Sequence, residues 1–184
     1  MKRTFFALKI SEETHDLFYQ LQKDIPELLE NCKIANPDNA HITLRFLGKT
    51  PEKVIPEIVN TVENAIKGFG DFIFECEGTG AFPIPKKPSI LWFGINKGAK
   101  HIQDLYQKIN IGLTALDIPE EKRKYSPHIT FARIRNRKEK VPGIESYLSY
   151  DFKPIKNKIS ELIYFESKLT PQRTIHTPIK TFKL

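Results

Sequence analysis

No apolar run in this chain approaches the roughly 18–20 residues needed to cross a bilayer. The opening "MKRTFFALKISEE" is basic at its start, but its apolar stretch is too short and meets acidic residues too soon for a signal peptide. It reads as a first β-strand. Only two cysteines are present, Cys32 and Cys76, without metal-ligand spacing. Reduced thiols in a cytoplasmic protein are the expectation. There is no glycine-rich phosphate loop, because "GKT" at 48–50 lacks the upstream glycine of a P-loop. No low-complexity linker divides the chain, and histidine is scarce, at five residues.

What is present belongs to a folded protein. Hydrophobic residues are 40% and charged residues 28% of 184, enough to build one sizeable domain or two small lobes sharing a surface. The net charge is +7, unevenly spread. Between 121 and 140, Lys122, Arg123, Lys124, Arg133, Arg135, Arg137, Lys138 and Lys140 face only Glu121 and Glu139. Such a band is either a solvated edge protected by its charges or the footprint of a polyanionic ligand such as nucleic acid.

The patterning predicts strands at 3–10, 41–47, 71–79, 89–95, 128–134 and 160–169, with weaker ones near 151–156 and 178–183. Helices are expected after Ser11 (stripe Leu17, Phe18, Leu21, Ile25, Leu28), from Thr50-Pro51 (Val54, Ile55, Ile58, Val62, Ile66) and after Gly98 (Ile102, Leu105, Ile109, Leu113, Leu116). "AFPIPKKP" reads as a proline-rich loop. This order indicates an α+β fold with antiparallel sheets. One domain over 1–184 is expected, made of two pseudo-symmetric lobes, each a sheet packed with helices, around a central cleft.

Two of the five histidines open the same tripeptide, in "HITLRFLG" from His41 and "HITFAR" from His128, 87 positions apart. Twelve of the 184 residues are threonine, so roughly one histidine in fifteen should have one two places on by chance, yet two of five do. Strand alternation puts His41, Thr43 and Arg45 on one face and Ile42, Leu44 and Phe46 on the other. In the second copy His128, Thr130 and Ala132 share the polar face. Two imidazoles on opposite sides of a substrate can act as general acid and general base near neutrality. Threonine hydroxyls and an arginine can hold nonbridging phosphate oxygens. The set suits metal-free displacement at phosphorus in a phosphodiester. A metal site is disfavoured, since no carboxylate lies within two residues of either histidine. A duplicated strand with non-catalytic histidines is the competing account. His15, His101 and His176 lack repeated context and read as surface or packing residues.

The motifs "HITLRFLG" and "PHITFAR" resemble the two His-x-Thr signatures of the 2H phosphoesterases, nearest to the RNA 2′,3′-cyclic phosphodiesterase branch, formerly called 2′-5′ RNA ligases. "RTFFAL", "GAFPIPKKPSILW" and "YFESKL" support the resemblance, which covers nearly the whole chain. It implies hydrolysis of an RNA 2′,3′-cyclic phosphate to a 2′-phosphomonoester without a cofactor, by a protein expected to act as a monomer away from membranes. By analogy His41 protonates the departing 3′ oxygen and His128 activates water. Thr43, Thr130 and Arg133 would hold the phosphate. ATP-independent RNA ligation at the same site, and a non-catalytic RNA-binding domain, are the alternatives. Strict alternation puts Arg133 on the wrong face, so a bulge or the strand's end must turn it inward. After the "S-x-L" strand the family pattern has glycine and then tyrosine, whereas this chain has "TPQRTIHTP". Phe46, Trp92 and Tyr125 are candidate base platforms or core residues.

Overall fold

The computed structural model describes residues 1–121, 124–171 and 173–184. Lys122, Arg123 and Gln172, members of the basic band and the atypical C-terminal segment, lie outside the described residues.

Two residues beyond strand β1 (Lys2–Lys9), Ser11 starts helix α1 (Glu12–Asp24), its hydroxyl accepting from the Thr14 backbone N–H. That cap satisfies a donor the helix cannot pair internally. A second tie comes from far along the chain, where the buried Asn157 side-chain oxygen accepts from Ser11 N at 2.7 Å and from the Thr14 hydroxyl. The short helix α2 (Leu28–Asn31) leads into β2 (Cys32–Ile34), and the turn at 36–40 delivers the chain into β3 (His41–Thr50).

Thr50 is the last residue of that strand, not a helix cap. Pro51 precedes a 3₁₀ turn (Glu52–Val54), and helix α3 (Ile55–Ile66) begins beyond it with Pro56 in its first turn. The expected proline-rich loop is also absent. β4 (Phe72–Ile84) and β5 (Lys87–Ile95) form a hairpin through it, with Pro83 opposite Pro88 beside a register shift. Proline removes a ladder donor, and an irregular position near a hairpin end tolerates that loss. Helix α4 (Ala99–Thr114), β6 (Ile129–Ile134), helix α5 (Ile144–Leu148), β7 (Ile155–Ile159), β8 (Glu161–Leu169) and β9 (Thr174–Lys183) complete the chain.

Two antiparallel sheets result, in the orders β3-β1-β8-β9 and β2-β6-β5-β4-β7. Helices α3 and α4 pack on each other so closely that a Cβ on Gly112 would stand 3.0 Å from that of Ala65. On the other sheet, Phe18 of α1 meets Phe93 and Phe131 at 5.1 and 5.4 Å between ring centroids. β1 is buried on both faces. Phe6 and Leu8 join the main core, while Phe5 and Ala7 form a smaller cluster with Ile163 and Phe165. The α+β fold with two antiparallel sheets agrees with the sequence reading. Each sheet holds one His-x-Thr strand, and β3 and β6 come into contact.

Candidate active site

Both motif strands break their alternation at the third residue after histidine. Against β1, Arg45 stands opposite Phe6 and Thr43 opposite Ala7, leaving Leu44 as an extra residue. Against β5, Ala132 stands opposite Leu91 and Thr130 opposite Trp92, leaving Phe131 as the extra one. A bulge residue resets which face the following side chains take. Leu44 and Phe131 therefore both drop into the core, 3% and 0% exposed. The residue three beyond each threonine, Phe46 in β3 and Arg133 in β6, turns back to the histidine face, where both line the cleft. The bulge that Arg133 requires is thus present.

The same bulge removes Arg45 from the site. The alternation rule grouped it with His41 and Thr43. It is instead 8% exposed, its guanidinium donating to the Pro119 carbonyl and standing 3.7 Å from Glu121.

His41, Thr43, His128, Thr130 and Arg133 meet in one cleft of about 630 Å³. The two imidazoles are fixed alike. Nδ1 of His41 lies 2.6 Å from the Asn39 carbonyl, and Nδ1 of His128 lies 2.8 Å from the Ser126 carbonyl, two residues upstream in each case. A carbonyl only accepts, so each Nδ1 carries the proton and each neutral Nε2 keeps a lone pair. An aromatic ring backs each one: Phe5 of β1 at 5.0 Å from His41, and Phe82 of β4 edge-on at 5.0 Å from His128. Burial, outweighing the carbonyl contact, pulls His41 down to about 4; nearby His176, His128 and Arg133 lower it further. His128 is lowered too, mainly by burial and then by Arg133. Both are neutral bases in the open cleft at pH 7.

Arg3, Lys33 and Arg173 join Arg133 along the walls, and among the described residues no carboxylate lines the cleft. Such a surface favours an anion. Phe46, 44% exposed, carries the Arg3 guanidinium 4.7 Å above its ring. The other two candidate platforms are elsewhere. Trp92 packs on Phe82 and over Gly80, where a Cβ would stand 2.2 Å from the indole. Tyr125 stacks on Tyr106 of α4 at 4.0 Å, and its hydroxyl donates to the Thr43 carbonyl at 3.0 Å. That bond ties the approach to the second motif to the backbone of the first. Tyr125→Phe should cost about 1 kcal/mol of stability, read by urea denaturation, with activity reduced through looser placement of Thr43.

His101 is a packing residue, stacked on Phe72. His176 is not. It lines the cleft from β9, its ring 5.4 Å from that of His41. Sequence gave it no repeated neighbour, and only the pairing of β9 with β8 opposite Ser167 brings it there.

A family model described as LigT-like phosphoesterase matches residues 8–92 and 94–176, one stretch around each His-x-Thr strand. The RNA 2′,3′-cyclic phosphodiesterase of Methanothermobacter thermautotrophicus is 27% identical over 99% of this chain and 98% of its own. That of Aeropyrum pernix is 31% identical over 82% and 85%. Among solved structures, Escherichia coli LigT complexed with 3′-AMP superposes with a TM-score of 0.79 at 19% identity, over 100% of this chain and 98% of that one, a likeness of fold. With the family model matched across both halves and both motif strands opening on one cleft, the chain belongs to the LigT-like phosphoesterase family.

Proposed function

We propose that this chain hydrolyses RNA 2′,3′-cyclic phosphate ends to 2′-phosphomonoesters, as one bilobal domain and without a metal, using His41 and His128 as the acid–base pair. The observation that carries this reading is the matched pair of imidazoles. Each has Nδ1 bound to a carbonyl two residues upstream, and both line a cleft with two threonines and Arg133 where no described residue brings a carboxylate. The names of the relatives, RNA 2′,3′-cyclic phosphodiesterases, support the same substrate class.

The atoms balance without a cofactor. His128 Nε2 takes a proton from water as its oxygen bonds to phosphorus. The bond from phosphorus to the 3′ oxygen breaks, and His41 Nε2 delivers a proton to that oxygen. Thr43, Thr130 and Arg133 hold the nonbridging oxygens, whose charge grows as phosphorus becomes five-coordinate. His41 must be protonated to act, and in the empty cleft burial opposes that. The cyclic phosphate brings a negative charge next to the ring and raises its proton affinity on binding.

The test is incubation with a nucleoside 2′,3′-cyclic phosphate and identification of the product. A 2′-monoester formed in EDTA supports the proposal; a 3′-monoester, or activity abolished by EDTA, would sink it. An RNA partner with a 5′-hydroxyl shows whether an alcohol can replace water and yield a ligated product at the same site. Both kinetic profiles should be bell-shaped in pH. The kcat/KM bell should centre below pH 6.5, because both histidines are depressed in the free protein. The falling limb of kcat should lie at higher pH, since bound phosphate raises His41.

A further inference from the structure

We propose that His176 is a third phosphate-binding imidazole of this cleft, donating a hydrogen bond from Nε2–H to an anionic oxygen of the substrate. The inference rests on the cyclic-phosphodiesterase reading for the identity of the ligand, but not for the geometry.

Three observations place it. His176 lines the same cleft as His41, Thr43, His128 and Thr130. Its ring is wedged among the rings of the site, 4.9 Å from Phe5, 6.2 Å from Phe165 and nearly perpendicular to His41 at 5.4 Å. Its Nδ1 is shut off from solvent and, among the described residues, has no hydrogen-bond partner. A buried N–H without an acceptor costs more than a buried lone pair without a donor, so the neutral ring carries its proton on Nε2. Burial also holds His176 below the usual histidine value, which keeps it neutral near pH 7.

The consequence is a division of labour by tautomer. His41 and His128 have their Nδ1 atoms engaged by carbonyls and offer lone pairs to the cleft. His176 has its Nδ1 buried and offers an N–H. In the free cleft His176 is thus the one imidazole of the three that donates; once bound phosphate has protonated His41, His41 donates as well and His128 alone is left as the base. The residue lies in the segment where the chain departs from the glycine–tyrosine pattern of the family it resembles, and Arg173 of that segment lines the cleft beside it.

The test uses the full chain with two variants and two measurements. Imidazole ¹⁵N NMR of the wild type should report His41 and His128 as Nδ1–H and His176 as Nε2–H, with the His176 resonances moving on titration with inorganic phosphate. His176→Phe keeps a ring against Phe5 and Phe165 but has no donor. It should bind phosphate about tenfold more weakly and raise KM by a similar factor, with a smaller change in kcat. His176→Gln restores a donor and should recover most of that loss. A His176 ring in the Nδ1–H form, or one untouched by phosphate, would overturn the proposal. So would a Phe variant that binds phosphate as the wild type does, or Phe and Gln variants equally impaired, which would mark a packing role. Should the wild type turn over no nucleoside cyclic phosphate, the function proposed above falls, while the phosphate titration still decides for or against His176.

Discussion

Replacing His128 with alanine is expected to lower the rate of cyclic-phosphate hydrolysis by about 10²–10⁴-fold, and replacing His41 should do the same. The expectation follows from how few proton carriers the cleft has. Among the described residues no carboxylate lines it. The third imidazole, His176, in the neutral Nε2–H form proposed above, offers the cleft no lone pair to replace His128 and is a far weaker acid than a protonated His41. The two losses should not multiply. Once one end of the proton path is broken, the remaining imidazole has little to act with, and the double variant should sit near the worse single one. Both alanines should leave the fold intact, because each ring stands at the cleft wall and its hydrogen bond is to a backbone carbonyl, part-buried for His41 and exposed for His128. Steady-state rates on a nucleoside 2′,3′-cyclic phosphate, with circular dichroism as a check on folding, decide the matter. Near-full activity in either variant would remove that histidine from the mechanism.

The largest effect on stability is expected at Phe131. Its side chain is fully buried, with ring contacts to Phe18, Phe93 and Tyr147 at 5.4, 5.1 and 5.6 Å. Cutting such a side chain back to alanine costs about 3–5 kcal/mol through lost burial and the cavity left behind. That would be a large share of the net stability of about 5–15 kcal/mol usual for a folded protein. Phe131 is also the bulge residue that sets the facing of Arg133. Its ring anchors the extra residue in the core, so Phe131→Ala should loosen the bulge as well as the core. We expect a urea midpoint lowered by the corresponding amount and a raised KM, which loss of folded protein alone would not produce because it lowers only the maximal rate. A midpoint within about 1 kcal/mol of wild type would show that the bulge side chain is not a core anchor.

The two contributions of Phe131 explain why parts of the site were legible in sequence and others were not. His41, Thr43, His128 and Thr130 were visible because they precede the bulges. Up to that point strand alternation holds, and a repeated tripeptide carries its own evidence. Alternation alone puts Arg45 and Phe46 on the wrong faces, because the bulge at Leu44 reverses the facing of the side chains just beyond it. The bulge at Leu44 depends on how β3 meets β1, and no local pattern in "HITLRFLG" announces it. Arg133 could be stated only as a condition, that a bulge exist. His176 gave no signal, since its role depends on β9 pairing with β8 at a particular register more than 130 residues from His41. The hairpin through 81–88 was missed for a related reason. Its prolines argue against a strand locally, and the pairing of β4 with β5 overrides them.

The sequence by itself displayed the candidate groups: two imidazoles with a threonine two places on, apolar partners to anchor each strand, and an excess of positive charge. It also determined the α+β class, because hydrophobic periods of two and of about three and a half residues are local properties of the chain. Only the tertiary structure decided which side chains line the cleft. That choice rests on strand register, which is set by contacts between residues far apart in sequence, and one extra residue in a strand is enough to move an arginine from the core to the cleft.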